Sequence, residues 1–237
     1  MPQITRTEKG FINQIENAEV QYLECNFTEK ICTVHFYRKP PKELHIDCSS
    51  FNLQYGIPVS DDGTQLFFSD WDHGLWAYDL DSGEVNWYSP TKHLTYFFVD
   101  SSRLIAVQQN QALICFDIQT GVVLQKVTGG SIADAFMIDH EHILVNSMRG
   151  RLCAVNLTDL SVYKWYSNKI VNPYNCLSIM FHRVSFHDDI LKVIGQEDSP
   201  KQSVQNMYWP HYFERIIDQN FIGQERVGSS AWPFVSE

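Results

Sequence analysis

The chain has 237 residues, of which 44% are hydrophobic and 19% charged, and its formal net charge is −10. The apolar content can build a sizeable core, which excludes wholesale disorder, and the acidity argues against nucleic acid or an anionic membrane surface as partner. No apolar run approaches the roughly 20 residues that span a bilayer, and the start of the chain lacks an export signal. We expect a soluble, cytoplasmic, globular protein.

The first predicted elements are three strands near the N-terminus. They cover residues 20–25, 31–37 and 43–48. An extended connector, Arg38-Lys39-Pro40-Pro41-Lys42, separates the last two, because proline is kept out of central strands. The region 20–50 therefore predicts one divergent sheet.

The middle of the chain repeats itself three times, over residues 61–90, 100–129 and 139–168. The first strands of the three copies open at Leu66, Leu104 and Ile143, and the second strands at Leu75, Leu113 and Leu152, at spacings of 38 and 39 residues. Each copy is a polar turn, two short apolar strands, an Asp/Asn turn and a third strand. The pattern is all-β, and a period near 40 with three or four strands per unit is typical of β-propeller blades.

The turn after the second strand carries a family resemblance. The segment Ala77-Tyr-Asp79-Leu-Asp-Ser82-Gly83-Glu-Val-Asn-Trp87 resembles the blade-docking motif of quinoprotein-like β-propellers. Asp117 and Gly121 repeat it without the closing tryptophan, and Asn156 with Trp165 forms a looser copy. The resemblance implies that Asp79, Gly83, Trp87, Asp117, Gly121, Asn156 and Trp165 tie neighbouring blades together. It covers less than half of the chain and indicates fold rather than function.

Beyond the repeats, strands are predicted at 178–186, 190–195, 203–209 and 212–223, which would make a divergent blade within 178–237. We predict a single propeller domain over residues 1–237, with about five blades and at most six. An irregular or incompletely closed ring of blades is the alternative form. A quinone-dependent enzyme is excluded, because that family has eight blades and an adjacent cysteine pair, and this chain is too short and has none.

Negative charge is concentrated between Lys42 and Lys92. This stretch has nine acidic residues and neither lysine nor arginine. The general interpretation is a solvated rim that keeps the protein soluble. The specific one is a docking face for a basic protein, where complementary fields accelerate association. The predicted partner-binding acidic residues are Asp61, Asp62, Asp70, Asp72, Asp81 and Glu84.

The chemical motifs are sparse, and we predict no catalytic, cofactor or metal site. The six cysteines include no CxxC pair, so we expect free, packed thiols. Two short clusters hold metal-ligand residue types, Asp70-Trp71-Asp72-His73 and His140-Glu141-His142. Both fall at turns, where polar residues are common. His140 and His142 would share one strand face, but no third ligand is identified.

The predicted function is a non-enzymatic protein-binding module in the cytoplasm. One form is an acidic immunity or inhibitor protein that neutralises a basic toxin, such as a nuclease, by mimicking the charge of its anionic substrate. A general scaffold or adaptor is equally open. The alternative class is an enzyme or a small-ligand or metal binder that uses a propeller channel.

Overall fold

The structure is a computed structural model that describes residues 4–8, 10–15, 17–46, 57–129, 132–147, 151–173, 179–198 and 210–223. In these ranges nearly all regular structure is β-strand, and the one helix, α1 (Asn168–Val171), has a single turn. The described strands form five antiparallel sheets. The predicted all-β class is confirmed, and the number of sheets equals the number of blades expected.

The chain divides into two compact units. The first comprises residues 1–108 and 114–126, and the second comprises residues 109–113 and 127–237. The single domain expected over 1–237 stays a prediction.

Sheet 1 lies in the first unit and contains the strands predicted near the N-terminus. Its order follows the chain: β1 (Ile4–Arg6), β2 (Gly10–Gln14), β3 (Val20–Asn26), β4 (Ile31–Phe36) and β5 (Lys42–His45). The sequence pattern missed β1 and β2. Strand β3 alternates buried and exposed residues, so one face of the sheet packs into the core. Residues 47 and 48 of the third predicted strand lie outside the described ranges.

Sheets 2 and 3 follow, each built on one copy of the repeat. Sheet 2 contains β6 (Gln65–Asp70), β7 (Gly74–Asp79) and β8 (Val85–Ser89), with an added bridge from Val59 to Leu66. Sheet 3 contains β9 (Leu94–Val99), β10 (Arg103–Gln108), β11 (Ala112–Asp117) and β12 (Val123–Thr128). All six residues of β6 are buried, as expected of a short apolar strand that is covered on both faces.

Sheets 4 and 5 belong to the second unit. Sheet 4 contains β13 (Ile132–Met137), β14 (His142–Ser147), β15 (Leu152–Asn156) and β16 (Val162–Tyr166). Sheet 5 contains β17 (Ile179–His187), β18 (Ile190–Asp198) and β19 (Pro210–Asp218). The turn between β17 and β18 is Asp188-Asp189, and both residues have positive φ, as tight hairpins require. The strand predicted at 203–209 lies outside the described residues.

Each unit has its own apolar core. In the first unit Leu23, Val34, Leu66 and Phe68 belong to one buried cluster that joins sheets 1 and 2. In the second, Leu144, Phe181, Val193 and Phe221 belong to a cluster that joins sheets 4 and 5. Neighbouring sheets therefore bury apolar faces against each other, which leaves their terminal turns to carry the polar residues.

Candidate binding surface at the docking turns

The turn after the second repeat strand is held by its own aspartate. Asp79 Oδ1 accepts hydrogen bonds from the backbone N–H groups of Asp81 (3.0 Å) and Ser82 (2.6 Å). Gly83 follows with φ +83°, a conformation that favours glycine. In turn 117–121, Asp117 Oδ1 likewise accepts from the backbone N–H groups of Gln119 (3.1 Å) and Thr120 (2.8 Å), and Gly121 has φ +69°. We call 79–83, 117–121 and the equivalent turns of sheets 4 and 5, 156–160 and 218–222, the docking turns.

Trp87 of sheet 2 packs on the docking turn of sheet 3. Its indole Nε1 donates to the Ile118 carbonyl at 3.0 Å, and the residue is 8% exposed. A Cβ on Gly121 would lie 2.4 Å from Cε3 of the indole. Glycine is thus required at 121 by both its φ and the closeness of the ring.

A lysine fills the corresponding place between sheets 1 and 2. Lys42 Nζ on β5 donates to the carbonyl of Asp81 at 2.5 Å. A Cβ on Gly83 would lie 3.0 Å from Cε of Lys42. The Asp81 side chain is occupied as well, because Lys39 Nζ lies 3.2 Å from its carboxylate.

Sheet 4 reaches the equivalent turn of sheet 5 with Lys164, which corrects the prediction for Trp165. Lys164 is 5% exposed, and its Nζ donates to Asp218 Oδ2 at 3.2 Å and to the Asn220 carbonyl at 2.6 Å. Its Nζ also lies 5.1 Å from the centroid of the Phe221 ring, within the range of a cation–π interaction. Trp165 points the other way and is 43% exposed, because successive strand residues face opposite sides.

The docking turn of sheet 4 departs from the motif at its fifth position. Asn156 Oδ1 accepts the N–H of Thr158 at 2.7 Å, so the first position keeps its capping role. Leu160 stands where the other copies have glycine and has φ +55°. Its side chain is 1% exposed, and burial offsets the roughly 1–2 kcal/mol that this conformation costs.

In the first unit, four turns lie together at one end of sheets 1 to 3: residues 17–19, 60–64, 79–84 and 117–121. They contain seven carboxylates and neither lysine nor arginine: Glu19, Asp61, Asp62, Asp79, Asp81, Glu84 and Asp117. Hydrogen bonds join the turns: Asn17 Nδ2 to Ser60 O (2.9 Å), Leu80 N to Thr64 O (2.8 Å) and Gln65 Nε2 to Gln119 Oε1 (2.9 Å). We call these four turns the acidic end. Two segments with basic residues border it: 37–42 through Tyr37 N to Glu19 O (3.1 Å), and 100–103 through Ile118 N to Ser102 O (3.0 Å). Their cations are Arg38, Lys39, Lys42 and Arg103.

Several carboxylates of the acidic end are fixed in their charged form. The Ser60 hydroxyl donates to Asp62 at 2.6 Å and lowers the pKa of that carboxyl. The backbone N–H of Ser82 lowers the pKa of Asp79, and the Thr120 hydroxyl, at 2.7 Å, lowers that of Asp117. Hydrogen bonds to the ionised form are the common cause. The negative charge therefore persists below the ordinary carboxyl range.

Two of the six predicted acidic residues do not belong to this surface. Asp70 and Asp72 lie at the other end of β6, about 17 Å from its first residue at about 3.3 Å per strand residue. Asp70 is fully buried, so it is not available to a partner. Asp72 is exposed, but it stands beside His93, whose Nε2 is 3.9 Å from its carboxylate. The six acidic residues that the sequence predicted as one surface thus lie at two separate places.

Asp70 instead organises the β6–β7 hairpin. Its Oδ1 accepts the N–H of Asp72 at 2.9 Å and lies 2.9 Å from Nδ1 of His73, whose side chain is 56% exposed. A buried carboxylate beside an imidazole is an arrangement that orients general bases and metal ligands. Within the described ranges, however, no group of three His, Cys, Asp or Glu side chains is placed to hold a metal ion.

The second histidine cluster is also rearranged. His142 opens β14 and is 8% exposed, and its Nδ1 lies 2.9 Å from Asp139 Oδ1. His140 precedes the strand in an exposed turn, so the two imidazoles do not alternate on one strand as predicted. His142 packs instead against Tyr163, with ring centroids 4.4 Å apart.

Neither a known protein family nor a curated protein matches the sequence. Among solved structures the chain is similar to BamB from Moraxella catarrhalis, with a TM-score of 0.51 and 13% identity over 83% of this chain and 56% of that one. The chain thus spans little more than half the length of BamB. Because BamB is a β-propeller, this likeness and the five blade-like sheets show the β-propeller fold.

Two further structures are similar at lower scores. The β-propeller domain of Cps50 (Swd1) from Myceliophteria thermophila has a TM-score of 0.46 at 11% identity, covering 90% of this chain and 74% of that one. The computationally designed Ika4 protein has a TM-score of 0.45 at 10% identity, covering 70% of this chain and 95% of that one. The specific resemblance to quinoprotein-like propellers stays a prediction. No helix in the described ranges is long and apolar enough to cross a membrane.

Proposed function

We propose that this chain is a non-enzymatic protein-binding module that captures a basic partner protein at the acidic end. The observation that carries the proposal is the charge of the four adjoining turns, which hold seven carboxylates and neither lysine nor arginine. Lys39 and Lys42 offset part of this charge beside Asp81, and Lys42 also acts on Asp79. The seven carboxylates outnumber the cations of the bordering segments 37–42 and 100–103, which are Arg38, Lys39, Lys42 and Arg103, so the balance of charge at this end is negative.

The turns also hold their carboxylates in place before a partner arrives. Asp62, Asp79 and Asp117 each accept several hydrogen bonds from their own turn, so little side-chain freedom is lost on binding. Complementary charge accelerates the encounter and selects against acidic proteins. Arginine and lysine side chains are the partner groups that pair with fixed carboxylates.

Within this function, we favour an inhibitor or immunity protein for a basic toxin, such as a nuclease. An enzyme that binds an anionic substrate carries a basic site, and a rigid set of carboxylates resembles that substrate's charge. A scaffold or adaptor that recruits a basic protein without inhibiting it is the other form of the same function. We place the protein in the cytoplasm in both.

The experiment compares two charge-reversal variants with equal change in net charge. Asp61→Lys with Glu84→Lys alters the acidic end, whereas Asp72→Lys with Glu29→Lys alters exposed positions at the opposite end. Each protein and the wild type are immobilised and exposed to native lysate at low salt, and bound proteins are identified by mass spectrometry. The captured protein is then purified, and its Kd is measured against salt concentration.

We expect a basic protein that binds the wild type and the opposite-end variant but not the acidic-end variant. Its Kd should rise steeply with salt. Binding that survives the acidic-end reversal with the same salt dependence would refute the proposal. Equal loss in both variants would show that net charge, rather than this surface, is what the partner recognises, and would also overturn it. Inhibition of the partner's own activity separates an inhibitor from a scaffold.

A further inference from the structure

Two cysteines face each other in the centre of sheet 1. The antiparallel pairing of β3 with β4 places Cys25 directly opposite Cys32. Their Sγ atoms are 3.2 Å apart, in contact but not bonded. Both residues are buried, at 2% and 0% exposure, among Leu23, Val34 and Leu44.

This placement satisfies the main geometric requirement for a disulfide. Directly opposed residues of antiparallel strands have Cα atoms about 4.5–5.5 Å apart, and disulfides span Cα separations of about 4.4–6.8 Å. The side chains already point to the same face, since their sulfur atoms touch. Bond formation needs an approach of the two sulfurs and no change in strand register.

The other described cysteines lack such a neighbour on their adjacent strands. Cys153 on β15 is opposed by Val145 and Trp165. Cys115 lies on β11, and no residue of the flanking strands β10 and β12 is a cysteine. The pair in sheet 1 is therefore a specific juxtaposition within the described ranges, and not a general consequence of having six cysteines.

We propose that Cys25 and Cys32 form a reversible disulfide that locks the β3–β4 hairpin, with a low-molecular-weight disulfide such as oxidised glutathione as the oxidant. One cysteine thiolate attacks a glutathione sulfur and displaces one glutathione thiolate, which gives a mixed disulfide. The second cysteine thiolate attacks the protein sulfur of that intermediate and displaces the other glutathione. Two protein thiols are oxidised, one glutathione disulfide is reduced to two thiols, and the two protons pass to the displaced thiolates.

Burial makes the exchange depend on opening of the hairpin. Both thiols are buried and hard for glutathione to reach, so oxidation of the folded protein should be slow. The bond once formed constrains the strand next to β5, which carries the Lys42 contact to the docking turn of sheet 2. The lock itself lies at the other end of the hairpin from the acidic end, because Cys25 is five residues along β3 from Val20.

The sequence provides a direct assay, because Lys30 lies between the two cysteines. The reduced protein is equilibrated in glutathione buffers from fully reducing to fully oxidising, both folded and during refolding from denaturant. It is quenched with acid, alkylated and digested with trypsin. Cleavage after Lys9, Lys30 and Arg38 gives peptides 10–30 and 31–38, each with one cysteine.

We expect the two peptides to be recovered joined from oxidising buffer, two hydrogen masses below their sum, and separate after dithiothreitol. The oxidised protein should melt at a higher temperature than the reduced one, and the Cys25→Ala/Cys32→Ala variant should lose this redox dependence. The Cys115→Ala variant is the matched control and should keep it. Separate, fully alkylated peptides in the most oxidising buffer would overturn the proposal, as would stable glutathione adducts or pairing of Cys25 with another cysteine.

Discussion

Lys164 occupies in sheet 4 the register position that Trp87 occupies in sheet 2. Ala77 pairs with Trp87 and Ala154 pairs with Lys164, and in both sheets the register shifts at the next residue. Each side chain reaches the docking turn of the following sheet within its unit. The backbone thus presents one position for docking, and an indole or an ammonium group can fill it.

The first prediction concerns the indole. Trp87→Ala should lower the free energy of unfolding by about 3–5 kcal/mol, because a large buried ring and its hydrogen bond to Ile118 are lost. Chemical denaturation followed by far-UV circular dichroism measures the change. A loss below about 1 kcal/mol would mean that the ring contributes little between the sheets.

The second prediction is that Trp87 and Gly121 are energetically coupled. Gly121→Ala should be strongly destabilising in the wild type, because the new Cβ would lie 2.4 Å from the indole. In the Trp87→Ala background only the cost of the positive φ remains, roughly 1–2 kcal/mol. Gly83→Ala is the matched control, since there a lysine methylene at 3.0 Å can move aside. Additive effects in the double-mutant cycle would contradict the coupling.

The third prediction tests the partly buried ion pair of Lys164 with Asp218. Lys164→Met should destabilise the protein by about 3 kcal/mol, because the Asp218 carboxylate is left without its cation. Asp218→Asn added to Lys164→Met should recover most of this loss, since neutral side chains then replace the pair. Trp165→Ala should cost less than Lys164→Met. Thermal denaturation measures both losses of stability. A larger loss for Trp165→Ala than for Lys164→Met would show that Trp165, rather than Lys164, is the docking residue.

The fourth prediction separates the two carboxylates of the β6–β7 hairpin. Asp70→Asn should cost about 1–3 kcal/mol, because the buried partner of His73 is lost. Asp72→Asn, at an exposed site, should change stability by about 0.5 kcal/mol or less. Urea titrations of the two variants make the comparison. Equal small effects would indicate that Asp70 is not the organising residue of the hairpin.

The repeat was readable from the sequence because the buried strands and docking turns use recurring residue types. Leu66, Leu104 and Ile143 are all fully buried in short strands, and glycine marks two of the three turns. Strands β9 and β13 were missed, since the alignment began after them. Strands β1 and β2 lie outside the repeat and have no equivalent in the aligned copies.

The candidate surface was only partly readable, for two physical reasons. Nearness in sequence placed Asp70 with Asp62, although a strand that runs the length of the sheet separates them. Residue type favoured Trp165 over Lys164, although both Trp87 and Lys164 follow their paired alanine by ten residues. Counting from that alanine would have identified the lysine. Contacts such as Lys42 with Asp81 depend on packing between sheets and leave no local pattern.

The last prediction is a pH dependence centred on Asp117. Its folded pKa is lowered, chiefly by the Thr120 hydroxyl and then by the backbone N–H groups of the turn. The folded state therefore binds a proton less readily than the unfolded state. The corresponding stability is present above the ordinary value of 3.8 and is lost as pH falls through the lower folded pKa.

Thr120→Val should raise the folded pKa of Asp117 towards the ordinary value, because it removes the donor and keeps the shape. Carbon-13 NMR titration of the aspartate carboxyls measures the shift directly. Asp79 is the internal control, since its chief donor is the N–H of Ser82 in a different turn. An unchanged Asp117 midpoint, or an equal shift at Asp79, would contradict the assignment of the effect to the hydroxyl. A shift at Asp117 alone shows that each docking turn fixes the charge of its own carboxylate.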